Sequence, residues 1–464
     1  MTPDALDLLT RATRALDAWE AGFGPVTPHP AMAVDADRLG AALDELLSRL
    51  TAAPRGEAPG MYPFFHPRFA GQMLKPPHPV ALAAYAAAAR INPNNHALDG
   101  GPPTAAMERE AVGWLAGMLG FPTDTLGHLT GGGTVANLEA LFVAREETGG
   151  RAVAVSRDAH YTHARMAHVL GVETVPVEAD DDGRLRLDAL EDVLKAGRVG
   201  TVVLTAATTG LGTVDPIAEA VPLCRRHGAR VHVDAAYGGF FTLLADADAL
   251  QGFPASDFRA IAEADSVVVD PHKHGLQPYG CGAVLFRDPA VGRHYRHDSP
   301  YTYFTSAALH LGEISLECSR PGAAAAALWL TLRALPLRAE AGLGPILSAG
   351  LRAARDLAAR LGASDRFRLW APPTTDIVVY APTAAGVAAT DAAAGGVFEA
   401  GMNDPTDPLF LSLYRLDAAR LGRRWGLAPD APTARVLRSV LMKPEHETAV
   451  PWIFDRLTEL AADV

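Results

Sequence analysis

Lysine is rare in this chain, which has Lys75, Lys195, Lys273 and Lys443 among its 41 basic residues. Where arginine supplies nearly all the positive charge, a lysine at the end of an apolar β run raises a question about chemistry. Lys273 is such a residue, because Ser266-Val267-Val268-Val269 runs into Asp270-Pro271-His272-Lys273-His274-Gly275. An ammonium can lose its proton and form a Schiff base with a carbonyl, whereas a guanidinium cannot. Three valines followed by Asp-Pro predict a buried strand that opens into a loop, and in open α/β sheets ligands bind at that edge. Taken alone, the segment fits an ordinary lysine at a strand-loop junction equally well.

Other segments share this arrangement. Gly131-Gly132-Gly133-Thr134 precedes a helix expected to begin near Val135, so its amides and the Thr134 hydroxyl form a phosphate cup. It matches neither a Walker lysine motif nor GxGxxG, and a tight turn would explain the glycines too. Val231-His232-Val233-Asp234-Ala235-Ala236 puts a carboxylate at a buried strand end, where it needs a cationic partner. A protonated pyridine nitrogen would serve, and Ala236 would let a flat ring lie against the backbone. His160, in Asp158-Ala159-His160-Tyr161-Thr162, brings an imidazole to the same edge, where it could stack on that ring or simply cap a loop. A phosphate cup, a carboxylate, a flat side chain and a lysine at successive strand ends describe a site for pyridoxal 5′-phosphate. His272 and His274 share a face at strand spacing, but no carboxylate and cysteine set completes a metal site, and none is expected.

With these motifs the chain resembles the pyridoxal-phosphate-dependent group II amino-acid decarboxylases of the aspartate-aminotransferase-like fold, also called fold type I. The resemblance runs from about Pro67 to Leu335 and more weakly beyond. It implies that Lys273 is the Schiff-base lysine, preceded by His272, and that Asp234 pairs with the pyridinium and Ala236 touches the ring. It makes His160 the stacking histidine, which also lies near the substrate carboxylate. Gly133 and Thr134 match the phosphate loop, and Thr209 the threonine near the ring hydroxyl. Arg320, in Glu317-Cys318-Ser319-Arg320-Pro321-Gly322, matches a segment that closes the site and is a candidate for an anionic group. The resemblance also implies a loop tyrosine that returns a proton to Cα, with Tyr301 and Tyr303 both in place, and a homodimer with sites at the interface. From the residues alone, Asn95 and His96 in the turn Asn92-Pro93-Asn94-Asn95-His96 are candidates for the substrate entrance, and loop propensity explains them as well.

Asp270 departs from the Asn or Ser of many decarboxylases, and an acid so near a phosphate must be offset or turned away. Together with Ser319-Arg320-Pro321-Gly322 it also resembles the sphingosine-phosphate lyase branch. Besides an L-amino-acid decarboxylase, a retro-aldol carbon–carbon lyase and a catalytically silent protein that binds the cofactor therefore stay open.

These groups need a scaffold to position them. With 464 residues the chain exceeds what one core readily fills, so more than one domain is expected. Short β-branched runs at 151–156, 173–177, 201–205, 230–233, 266–269 and 282–286 alternate with helical segments. That pattern predicts an α/β fold with a mostly parallel sheet, of the seven-stranded type in the resembled family, and helices on both faces. The expected organisation is an N-terminal helical arm over 1–75, a large cofactor-binding α/β domain over 76–340 and a small C-terminal α+β domain over 341–464. A net charge of −12 argues against a nucleic-acid or anionic-membrane surface, and the resemblance implies a small-molecule amino-acid substrate as the partner. Cys224, Cys281 and Cys318 are odd in number and without CxxC spacing, which fits a reducing compartment. The first 22 residues lack the apolar core of a signal peptide, and the Ala-rich runs are too short or interrupted to span a bilayer, so a cytoplasmic protein is expected.

Overall fold

The computed structural model describes residues 4–55, 59–246, 252–296 and 310–462. Strands β1 (Leu126–Thr130), β2 (Ala152–Ser156), β3 (Thr174–Val177), β4 (Val199–Thr205), β5 (Arg230–Asp234), β6 (Ser266–Val269) and β7 (Gly282–Phe286) form a seven-stranded sheet. Their order is β1-β7-β6-β5-β4-β2-β3. β7 runs antiparallel to both β1 and β6, and the remaining pairs are parallel. Consequently β1 points the same way as β6, and the carboxyl ends of β1, β2, β4, β5 and β6 share one edge. β4, β6 and β7 are buried at every position, as strands covered on both faces must be, so they read as unbroken apolar runs.

β1 has no such signature. Gly127 and His128 interrupt it, and only its place beside β7 makes Leu126-Gly127-His128-Leu129-Thr130 a strand. The buried His128 ring is held between Glu139 Oε2 at 2.9 Å and the Leu129 carbonyl at 2.8 Å.

The helices that matter below are α1 (Ala5–Ala21), α2 (Ala36–Thr51), α3 (Pro79–Ile91), α4 (Pro102–Met118), α5 (Gly133–Thr148) and α6 (Thr162–Val169). α1 packs on α3, where Arg90 of α3 pairs with Asp17 and Glu20 at 2.7 Å each. α2 starts under an Asp35 cap and buries none of its residues, leaving Leu39, Leu43, Leu46, Leu47 and Leu50 exposed.

Beyond residue 340 a second, four-stranded antiparallel sheet forms from β8 (Phe367–Leu369), β9 (Ile377–Pro382), β10 (Ser412–Asp417) and β11 (Thr433–Val440), in the order β10-β11-β9-β8. The stretch 381–435, which suggests nothing by pattern, supplies a helix over Val387–Asn403, β10 and a helix over Ala418–Trp425. The largest apolar cluster does not stop at the boundary between the sheets. It joins Leu115, Val231 and Val267 to Trp370, Val379, Val436 and Met442. Among the described residues no helix is long and apolar enough to cross a membrane.

Candidate active site

The shared strand edge opens on a cavity of about 380 Å³ lined by the loops after β1, β2, β4, β5 and β6, with Met73 at its wall. After β1 the chain turns through Gly132, whose φ of 138° is open to glycine and strained for other residues, and enters α5 two residues earlier than the sequence suggests. The amides of Gly133, Thr134 and Val135 have no acceptor within the helix, so the cavity receives the positive end of α5.

β5 ends in Asp234, which is buried yet lines the cavity. Burial would raise its carboxyl, but a 2.8 Å bond from His163 Nε2, with the Ala236 amide at 3.1 Å, holds it well below the usual carboxylate range. Ala236, two residues on, leaves open space beside it. His160 lies on the loop after β2, and burial lowers its imidazole against the pull of Asp234. That loop is pinned from the helix Ala418–Trp425, since Arg420 Nη1 donates to both oxygens of Asp158 at 3.0 and 3.2 Å. After β4, Thr208 turns away to bond the Thr213 hydroxyl at 2.9 Å, and its neighbour Thr209 lines the cavity.

Lys273 follows β6, with its Nζ 2.9 Å from Asp270 Oδ2. Burial disfavours the ammonium, but Asp270 outweighs burial and raises Lys273 above the ordinary lysine value. His272 Nε2 is 3.5 Å from the same oxygen, while its Nδ1 meets the Cys281 carbonyl at 2.8 Å. The acid expected to trouble a phosphate is therefore offset, although a Cβ on Gly133 would stand only 2.7 Å from it.

Other expected residues lie elsewhere. Arg320 and Asn95 do not line this cavity: both side chains turn to the buried Glu108, Arg320 through Nη1 and Asn95 through Nδ2 at 2.6 Å. As an open cation, Arg320 is corrected by this pairing, whose partner sits 212 positions away in sequence. His96 is also outside the cavity lining, and its carbonyl receives the Gly312 amide at 2.8 Å. Tyr301 and Tyr303 fall outside the described residues.

Sequence reasoning missed three participants. His163 was hidden three positions behind His160, and Asn137 one turn into α5. Arg438 on β11 is not in the cavity lining but reaches the residue next to Thr209: its Nε donates to the Gly210 carbonyl at 3.2 Å, and its Nη1 approaches Gly71 O at 3.4 Å and Ser412 Oγ at 3.2 Å.

Residues 58–381 match the family described as the pyridoxal-dependent decarboxylase conserved domain. The chain belongs to that family. It is 34% identical over 266 residues to a probable L-tyrosine/L-aspartate decarboxylase of Methanopyrus kandleri, covering 56% of this chain and 68% of that one. It is 30% identical to the L-2,4-diaminobutyrate decarboxylase of Rhizobium meliloti, over 65% of this chain and 63% of the other. The crystal structure of Oryza sativa TDC with PLP and tryptamine superposes with a TM-score of 0.74 at 20% identity, over 98% of this chain and 97% of that one, and shows the shared fold.

The protein is thus a pyridoxal-phosphate-dependent amino-acid carboxy-lyase. Its cavity suits that cofactor: it offers an anion seat at a helix start, a buried carboxylate, open space beside an alanine, and an amine. The retro-aldol reading gives way, because the relatives named above are decarboxylases and the Arg320 side chain that helped to motivate it belongs to Glu108.

Proposed function

We propose that this decarboxylase acts on an acidic amino acid, and that the residues at the strand edge hold its cofactor. Lys273 would hold it through Nζ, with His272 alongside. Gly133 and Thr134 would receive its phosphate, Thr209 would lie near its ring hydroxyl, His160 and Ala236 would flank its ring, and Asp234 would pair with its ring nitrogen. When bound, the cofactor supplies the electron sink for the pair left on Cα as carbon dioxide departs. Asp234 must stay ionised to keep a positive charge opposite it, and the donors around it serve that end. Tyr301 or Tyr303 would return the proton to Cα.

The observation that carries the acidic substrate is Arg438. It is buried, its Nη2 has no partner, and it makes no ion pair with a carboxylate among the described residues. Burial pulls this guanidinium below the ordinary arginine value, against the weaker pull of Tyr237 and Asp376, and an anion arriving beside it would add to that pull. Gly210, which it contacts, adjoins Thr209 in the cavity lining.

The test is carbon dioxide release from L-aspartate, L-glutamate, L-tyrosine and L-2,4-diaminobutyrate, with Lys273→Ala as the inactive control. Release should be fastest from an acidic substrate. Arg438→Met should cut kcat/KM for it on the order of 10–100-fold, the value of a lost charge-assisted bond. Arg438→Lys, which keeps charge without the planar fork, should fall between. Faster release from tyrosine or diaminobutyrate would overturn the proposal.

A homodimer is part of the same proposal, supported by the exposed leucine stripe of α2, which a second copy of the chain can cover. A reducing, cytoplasmic setting is supported by the thiols: Cys224 and Cys281 are buried and unpaired, and burial pushes Cys224 up to about 12.

A further inference from the structure

His163 sits in the first turn of α6, three residues after His160. The local turn that presents one imidazole to the cavity places the other against the carboxylate behind it. The His163 ring is fully buried. Its Nε2 is committed to Asp234 Oδ2 at 2.8 Å, and its Nδ1 has no partner among the described residues, so the ring proton in use lies on Nε2.

The rest of the carboxylate's surroundings are equally fixed. The Ala236 amide donates to Oδ1 at 3.1 Å, and Asn137 Nδ2 approaches Oδ2 at 3.4 Å. Asn137 is itself anchored, since its Nδ2 donates to the Gly133 carbonyl at 2.8 Å and its Oδ1 meets His232 Nε2 at 2.9 Å. His232 Nδ1 in turn meets Ser266 Oγ at 2.9 Å, and burial pulls this imidazole down to about 3, which keeps it uncharged. A neutral chain of contacts therefore runs from β6 through β5 and α5 to Asp234, and His163 closes it from α6.

Removing His163 would leave Asp234 with the Ala236 amide and a long contact to Asn137. A carboxylate so buried and so poorly bonded takes up a proton, and a protonated Asp234 cannot keep one on a ring nitrogen opposite. We propose that His163 is a positioning residue of the decarboxylation, keeping the Asp234 carboxylate ionised and oriented so that its free lone pair faces the cofactor's ring nitrogen. The inference rests on the assignment of Asp234 as the partner of that nitrogen.

The experiment reconstitutes wild type, His163→Leu, His163→Gln, His163→Asn and Asp234→Asn with cofactor carrying ¹⁵N in its ring. The ring-nitrogen chemical shift reads its protonation directly, and cofactor affinity and thermal stability are measured alongside. In His163→Leu the shift should move toward the unprotonated value, and kcat should fall on the order of 10–100-fold while KM changes little. His163→Gln, long enough to donate to Asp234, should restore most of both readings, and the shorter asparagine should not. If His163→Leu does not fold, the glutamine and asparagine pair decides: distinct shifts support the proposal and identical ones overturn it. A folded His163→Leu with a wild-type shift and kcat also overturns it. A ring nitrogen still protonated in Asp234→Asn instead sinks the underlying assignment of Asp234.

Discussion

The lysine that matters most is governed by a residue one turn earlier. Asp270 Oδ2, 2.9 Å from Nζ, holds Lys273 as an ammonium above its ordinary value, and an ammonium is no nucleophile. Attachment of the cofactor then requires a proton to leave, and its rate should rise with pH. In Asp270→Asn the ammonium loses its partner while burial remains, so more free amine is present at neutral pH. Mixing apoprotein with cofactor in a stopped-flow spectrometer at pH 7 should show attachment faster by about tenfold, the effect of one unit in pKa. An unchanged rate would show that Asp270 does not control the amine. The sequence marks Asp270 as a departure but cannot show where its side chain points, because loop spacing fixes no direction. Arg320 misleads for the opposite reason: its partner Glu108 is remote in sequence and becomes a neighbour only when α4 packs beneath β1.

At the scale of elements, the site was legible where a strand end carries the signal. Lys273, Asp234 and His160 each follow a run rich in β-branched or alternating small apolar residues, and the sheet brings those ends together. β1 and β10 were not legible, since Gly127 and His128 in one and Tyr414 and Arg415 in the other obscure the pattern, and their neighbours β7 and β11 make them strands. Tertiary pairing overrides weak local preference in such segments. The helix α2 presents the reverse case, because its stripe Leu39, Leu43, Leu46 and Leu50 is plain in sequence but stays exposed among the described residues. If a second copy covers it, Leu43→Asp combined with Leu46→Asp should convert a dimer to a monomer in size-exclusion chromatography with light scattering. A dimer that survives both charges must be held by another surface.

At the scale of the whole molecule, buried charge links stability to pH. Lys443 Nζ donates to the Phe69 carbonyl at 2.6 Å, and burial, with repulsion from Lys75, pulls it from its ordinary 10.5 down to about 7. Between these values the folded chain binds fewer protons than the unfolded one, so stability rises with pH across that window. Wild type should therefore gain in Tm over Lys443→Met as pH goes from 7 to 9 in differential scanning fluorimetry, and parallel curves would contradict the shift. Because the largest apolar cluster passes without a break from the first sheet to the second, neither sheet can melt while leaving the other's interior dry. Apart from α1 and α2, whose residues are not part of that interior, the apoprotein is one cooperative unit, and calorimetry should give a single main endotherm whose van't Hoff and calorimetric enthalpies agree. The same continuity means that the second sheet cannot be exchanged as a module between relatives: a chimaera joined near residue 340 would have to rebuild one shared interior from two histories.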